Sequence, residues 1–348
     1  MSSLRDDHHV PLWLHTPLLY SQSLSNNLDA DVYLKLENVQ TSQSFKFRGI
    51  SLFAQRAKQK SPDTHLIIAS GGNAGLAAAC AAKAVGLKCS VYLPLGLNSK
   101  FLETLKEQGA EIIEEGVNYA AALKKAREAV AQDERSVGGG GLLAGIMVGC
   151  KNANWDDVLI GTFETIGSDC FYQSMSANRQ KEKTGLTDTM NPKFTIFHDS
   201  EHDVELVRLN AITSVASSLG ASSPAPGAVR MALDRKGPVK CALVPDLLSM
   251  QIAARFAEDH KFLVELACST TLVPAYNKQI FDQIVPPAVV VGDDNNSSKK
   301  HRTIVFIVCG GTKISIKELA RYGSTTVNNG ESNFWEIFID GEALQVNQ

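Results

Sequence analysis

Leu66-Ile67-Ile68-Ala69-Ser70-Gly71-Gly72-Asn73-Ala74-Gly75 passes from a short apolar run into a polar glycine turn, and an alanine-rich stretch follows to Val85. The run reads as a buried strand, the turn as a strand end, and Gly75 to Val85 as a helix that Gly86 stops. The same alternation extends outward. Asp31 to Glu37 alternates like a half-buried strand, and Gly49 to Lys60 reads as a helix. Cys89 to Pro94 is the next strand, Ser99 to Gln108 a helix ended by Gly109, and Glu111 to Ile113 a further strand. Tyr119 to Ala131 is again helical. Thr303 to Val308 is a buried strand that runs directly into Cys309-Gly310-Gly311-Thr312. This rhythm predicts an α/β fold with parallel sheets covered by helices. Such folds bind ligands where strands end.

Three segments carry chemistry. Ser70 to Gly75 is a strand end opening a helix, so its N–H groups and the helix dipole favour a carboxylate or phosphate. Ser44-Phe45-Lys46-Phe47-Arg48-Gly49 places a lysine between two phenylalanines. Lost hydration there disfavours the ammonium form and raises the share of nucleophilic amine. Gly138-Gly139-Gly140-Gly141 is open enough for backbone to wrap a phosphate. A nucleophilic amine with two anion cradles implies a Schiff-base enzyme using pyridoxal phosphate. Each segment alone has a plainer reading. Lys46 could be a snorkelling surface lysine, the tetraglycine a flexible linker, and Cys309 a core cysteine.

Composition narrows the class. The 348 residues suffice for one large or two modest domains, and 44% hydrophobic with 20% charged residues is ordinary for a soluble enzyme. A net charge of −3 gives no case for nucleic acid or an anionic membrane as partner. The polar start Met1 to His9 reads as neither a secretory signal nor a transit peptide. Seven cysteines without a CxxC pair predict reduced thiols in a cytosolic protein. His198 and His202 are four apart, as helical metal ligands are, but no third ligand is evident, and a solvated loop is expected.

Together the motifs resemble the serine/threonine dehydratase family of pyridoxal-phosphate enzymes, the tryptophan-synthase-β-like group. The resemblance rests on Ser44 to Gly49, Ser70 to Gly75, Ser136 to Leu142 and Val308 to Gly311, with His15-Thr16-Pro17-Leu18 and Leu34-Lys35-Leu36-Glu37 leading to the lysine. The motifs keep the family's order over most of the chain, and the cysteine after the last strand points to the cytosolic L-serine dehydratase branch. The resemblance implies that Lys46 carries the cofactor and shuttles the α-proton, while Phe45 packs on the pyridine ring. Ser70, Gly71, Gly72, Asn73 and Ala74 would hold the substrate carboxylate, with Asn73 also near the cofactor's ring oxygen. Gly138, Gly139, Gly140 and Gly141 would cradle the phosphate, and Cys309 would face the pyridine nitrogen. The family also implies potassium, held by Glu164 and the carbonyl oxygens of Ser168, Cys170, Leu219 and Ala221, with Cys170 replacing the usual serine; Glu164 could equally be an ordinary surface carboxylate. The expected reaction is β-elimination of L-serine to pyruvate and ammonia, or of L-threonine to 2-oxobutyrate, in a homodimer.

The chain departs from the family in two places. Gln132-Asp133-Glu134-Arg135 joins the helix at Tyr119 to Ser136 almost directly, where members carry a further strand-helix-strand segment, so the large sheet is expected to lose a strand near its centre. Asn178 to Glu205 lacks clean periodicity and reads as an insertion, and Asp293 to Arg302 as a solvated loop. The expected architecture is a small domain over residues 41–134 and a large cofactor-binding domain over 1–40 and 135–348, with the active site in the cleft. Two other readings stay open: a pseudoenzyme that retains the motifs without turnover, and a β-replacement enzyme.

Overall fold

The computed structural model describes residues 10–129, 140–184, 191–287, 290–291, 298–299, 302–328 and 334–347. Its first strands are β1 (Leu18–Tyr20), β2 (Asp31–Leu36), β3 (His65–Ala69), β4 (Lys88–Leu93) and β5 (Glu111–Glu114). Next come β6 (Ile160–Thr165), β7 (Phe194–Asp199), β8 (Val204–Leu209) and β9 (Val239–Val244). The last are β10 (Val290–Val291), β11 (Ser298–Lys299), β12 (Thr303–Val308), β13 (Phe334–Ile339) and β14 (Glu342–Asn347). The chain divides into two compact units, Met1–Thr16 with Glu37–Arg135, and Pro17–Leu36 with Ser136–Gln348.

The first unit holds the parallel sheet β3-β4-β5, in which Ile67 pairs with Ser90 and Ser90 with Glu111. Its core includes Leu66, Val91, Leu93 and Leu105, each buried. The helix Asn73–Val85 buries nine of its residues, most of them alanines, because small side chains let its backbone come close to its neighbours. Gly86 ends it at φ 69°, its N–H returning to the carbonyls of Ala82 and Lys83. Two boundaries differ from the sequence reading. The helix expected from Gly49 begins at Lys46, and the one expected from Gly75 begins at Asn73. Lys46 and Asn73 thus lie in a first helical turn, whose residues carry no apolar period of their own. This unit includes residues 10–16 and 37–40, because Gln40 binds both backbone groups of Leu14 at 2.9 and 3.0 Å.

The second unit carries two larger sheets, β1-β2-β12 and β14-β13-β9-β6, and two short hairpins, β7-β8 and β10-β11. β12 runs parallel to β2, with Phe306 opposite Leu34, and β6 runs parallel to β9, with Phe163 opposite Ala242. Among the described residues β12 and β6 each end a sheet. The alternation read from Asp31 to Glu37 is realised: Val32, Leu34 and Leu36 are buried, and their neighbours are half-buried. The link Gln132 to Arg135 lies outside the described residues, as does most of Asp293 to Arg302.

Asn178 to Glu205 is more regular than its sequence suggested. The helix Cys170–Thr184 continues through its first seven residues, and β7 pairs with β8 in a hairpin. Phe194 faces Leu209 and Ile196 faces Val207, an apolar pattern masked by the charged turn between the strands. His198 therefore lies on a strand, with Nδ1 3.0 Å from Glu205 Oε1. His202 sits in the turn, its Nδ1 3.0 Å from Asp199 Oδ1.

Candidate cofactor site

In the first unit Lys46 opens the helix Lys46–Lys60, directly after Phe45. Its Nζ lies 4.8 Å from the centre of the Phe45 ring. The expected box of two phenylalanines is only half realised. Successive helical positions turn by about 100°, so Phe47 points elsewhere and is buried in the core beside Leu76 and Ala77. One ring therefore lines the lysine.

The turn leading to Lys46 is held by a buried carboxylate. Glu37 accepts hydrogen bonds from Arg48 Nε and Nη2 at 2.7 Å each, from Thr16 Oγ1 at 2.7 Å and from Gln40 Nε2 at 3.2 Å. Burial pushes the Glu37 carboxyl up, and the bonds from Arg48, Thr16 and Gln40 more than offset it, leaving it below its ordinary value. Glu37 and Arg48 both stand in the sequence motifs, an acid and an arginine flanking the turn, and that pairing is the signal for this role. Within the turn, Gln43 adopts a left-handed φ of 58°. The Ser42 and Ser44 hydroxyls are fully buried with no hydrogen-bond partner. Orphaned hydroxyls so close to a lysine suit a polar ligand brought to that lysine.

The second element of this unit is the turn from β3 into the helix Asn73–Val85. Gly72 caps the helix in an extended conformation and Asn73 is buried. The first N–H groups of a helix have no carbonyl partner within it, which makes this end an anion cradle. A Cβ at Gly75 would stand 2.2 Å from the Ser70 carbonyl oxygen, so the turn closes only over a glycine. At Gly71 a Cβ would meet Leu97 Cδ1 at 2.7 Å, so Leu97 fills the space beside that residue.

In the second unit Gly138 and Gly139 lie outside the described residues, while Gly140 and Gly141 open the helix Gly141–Asn152. Gly140 has φ 120°, and a Cβ there would lie 2.9 Å from Ala228 Cβ. Backbone alone can occupy that position, as a phosphate cradle requires. β12 ends at Val308 and delivers Cys309, which is buried, into a turn with Gly310 at φ 79° and Gly311 at φ 129°.

The expected cation ligands fall in one neighbourhood of this unit. Glu164, on β6, accepts N–H bonds from Phe171 at 3.3 Å and Tyr172 at 2.6 Å in the first turn of the helix Cys170–Thr184. Burial raises its pKa to about 8 against the pull of those N–H groups. Cys170 packs with Ala221 around Val207 and Leu209, and the Leu219 carbonyl accepts from Ala221 N at 2.7 Å. The Ser168 hydroxyl is buried without a partner. An oxygen-only set with one carboxyl fits a hard monovalent cation.

Residues 11–137 match the family model described as pyridoxal-phosphate dependent enzyme. Human serine dehydratase-like is 30% identical, with 89% of this chain and 93% of that protein aligned. The L-serine dehydratase of Dictyostelium discoideum is 28% identical over 89% of this chain and 91% of its own length. Among solved structures, a fungal L-serine ammonia-lyase from Rhizomucor miehei superposes with a TM-score of 0.72 at 25% identity, covering 90% of this chain and 99% of that one. Maize serine racemase, at 20% identity and a TM-score of 0.64, shares the fold.

Proposed function

The chain belongs to the serine/threonine dehydratase family of pyridoxal-phosphate dependent enzymes, and from that membership we propose that it is an L-serine ammonia-lyase. It would convert L-serine to pyruvate and ammonia, and L-threonine to 2-oxobutyrate. The observation that carries this reading is the superposition on a fungal L-serine ammonia-lyase over nearly the whole of both chains, with a lysine on the first turn of Lys46–Lys60 where the family motif requires one.

Bound pyridoxal phosphate would supply the electron sink that lets the substrate's Cα lose its proton. Lys46 Nζ is assigned to hold that group covalently, with Phe45 on its ring face, and to take the α-proton. Backbone N–H groups of the turn Ser70, Gly71, Gly72, Asn73 and Ala74 would orient the substrate carboxylate. Asn73 would also hydrogen-bond the cofactor's ring oxygen. Gly138 to Gly141 would hold the phosphate, and Cys309 would face the ring nitrogen. A thiol there withdraws fewer electrons than an acid would. That suits an elimination in which the β-hydroxyl departs as the proton leaves. The released 2-aminoacrylate tautomerises and adds water to give pyruvate and ammonia.

We assign potassium to Glu164 and the carbonyls of Ser168, Cys170, Leu219 and Ala221; a kcat that rises in potassium but not in sodium checks this. Among the described residues no helix is long and apolar enough to cross a membrane; a cytoplasmic location and a homodimer are proposed from the family resemblance. The expected small domain over 41–134 and large one over 1–40 and 135–348 we propose in amended form, with 1–16 and 37–40 joining the small domain as the compact units divide the chain.

The test is the absorption spectrum of purified protein with added pyridoxal phosphate, before and after L-serine. A near-visible band that bleaches as pyruvate accumulates supports the lyase. Lys46→Ala should lose both the band and all serine turnover; retained turnover would sink the assignment. A second reading, a chain that binds the cofactor without turnover, draws on β12 and β6 each ending a sheet among the described residues; it predicts a band without pyruvate. Trapping of product by indole or sulfide would instead indicate β-replacement.

A further inference from the structure

Asp246 opens the helix Asp246–His260 just after β9, and its carboxylate reaches across to the segment 213–221. Oδ1 accepts the Ser214 hydroxyl at 2.7 Å, and Oδ2 accepts the Val215 N–H at 2.9 Å. A carboxylate only accepts, so the single hydroxyl hydrogen of Ser214 is committed to Asp246. Ser214 Oγ is left to accept, from Ala216 N at 3.0 Å and from Thr165 Oγ1 at 2.7 Å. Thr165, Ser214 and Asp246 thus form one directed chain of hydrogen bonds. Its far end is a fully buried side chain at the end of β6, next to Glu164.

A second tie runs beside it. Thr213 N donates to the Gly167 carbonyl at 3.0 Å, and Ser168 N donates to the Thr165 carbonyl at 2.9 Å. Gly167 has φ 87°, and a Cβ there would stand 2.0 Å from Thr213 Oγ1, so the two segments approach closely only over a glycine. One of these segments carries Glu164, Ser168 and Cys170, and the other carries Leu219 and Ala221. Ligands divided between two segments hold an ion only as well as the segments are held in register.

We propose that Asp246 is a positioning residue for the cation site: through Ser214 it holds the segment of Leu219 and Ala221 against the turn of Ser168, and so sets the affinity for potassium. The inference rests on the cation assigned under the proposed function. Nothing in it requires Asp246 to touch the ion.

The melting temperature of the full chain, read against potassium chloride with choline chloride keeping the ionic strength constant, tests this. An ion that binds only the folded chain raises the melting temperature, and the concentration at which the rise sets in reports its affinity. Asp246→Ala and Ser214→Ala should each move that concentration up about tenfold, as loss of one well-aligned charge-assisted hydrogen bond does. Ser214→Thr keeps the hydroxyl and should stay close to wild type. The double alanine variant should be no weaker than Asp246→Ala alone, because both residues act through one chain. In the loaded enzyme, the potassium concentration for half-maximal serine turnover should rise by the same factor. A merely structural role would lower the melting temperature equally in both salts and leave the onset unmoved. That result in a folded alanine variant overturns the proposal, and either variant suffices if the other fails to fold. A wild-type melting temperature indifferent to potassium overturns the cation assignment and the proposal with it. Failure of the lyase reading would appear separately, as a wild-type protein without a cofactor band.

Discussion

Arg48 stands two residues beyond Lys46, and its guanidinium holds Glu37 through two 2.7 Å hydrogen bonds. Glu37 is 4% exposed at its side chain and Arg48 32%, so the pair is shielded on one side and wet on the other. Removing the arginine strands a buried carboxylate. A fully buried pair loses about 3–5 kcal/mol on such a change, and partial exposure of Arg48 brings the expectation for Arg48→Met down to about 2 kcal/mol. Chemical denaturation of the two proteins at neutral pH checks it. The sign with pH follows from the lowered pKa of Glu37. The folded carboxyl is more acidic than the unfolded one, so its stabilisation is complete above the unfolded value, near 4.5. It is lost as pH falls through the folded value. Wild-type stability should therefore drop more steeply below pH 4.5 than that of Glu37→Gln, and parallel curves would refute the role. Lys46 was legible in the sequence because the residues around it form a fixed string. Glu37 was not, since it acts through Arg48 and Thr16, which come near it only once the chain folds.

Glycines show the same contrast between elements. Gly75 lies in the first turn of Asn73–Val85, where a Cβ would meet the Ser70 carbonyl oxygen at 2.2 Å and Val91 Cγ1 at 3.2 Å. Backbone cannot yield there cheaply, so Gly75→Ala should cost about 1–3 kcal/mol by overpacking. It should also weaken cofactor or substrate binding, because the turn moves with it. Gly145 lies mid-helix in Gly141–Asn152 with nothing within 4 Å of its would-be Cβ. Gly145→Ala should stabilise the protein by about 0.5–1 kcal/mol through helix propensity alone. Opposite shifts in melting temperature from the same substitution test both statements at once. Elements with a clean period, such as β2, β12 and Asn73–Val85, were readable from sequence. Two of the missed hairpins were hidden differently. β13 and β14 are joined by Asp340-Gly341, both at positive φ, a turn signal that could have been read. β7 and β8 meet at a charged turn whose polarity outweighed the apolar residues flanking it.

For the whole molecule, each unit has its own buried cluster, built around Ala77, Val91 and Leu93 in one and Val229, Cys241 and Leu243 in the other. Among the described residues the chain passes between the units at 16–17 and 36–37. A ligand that binds only the native chain stabilises it by mass action. A ligand that binds the native chain should therefore raise the melting temperature of the whole protein. At about one hundred times its dissociation constant a ligand adds about 2.7 kcal/mol of stability. Pyridoxal phosphate at that excess should shift the transition upward by several degrees. The covalent link is what distinguishes this ligand from any other anion. Inorganic phosphate at the same concentration should give a far smaller shift, and Lys46→Ala should reduce the pyridoxal phosphate shift toward the phosphate value. Borohydride reduction before heating should lock the wild-type shift against dialysis and leave Lys46→Ala unchanged. A wild-type melting curve indifferent to pyridoxal phosphate would mean that the lysine, the glycine turns and the thiol survive in sequence without forming the site their spacing predicts.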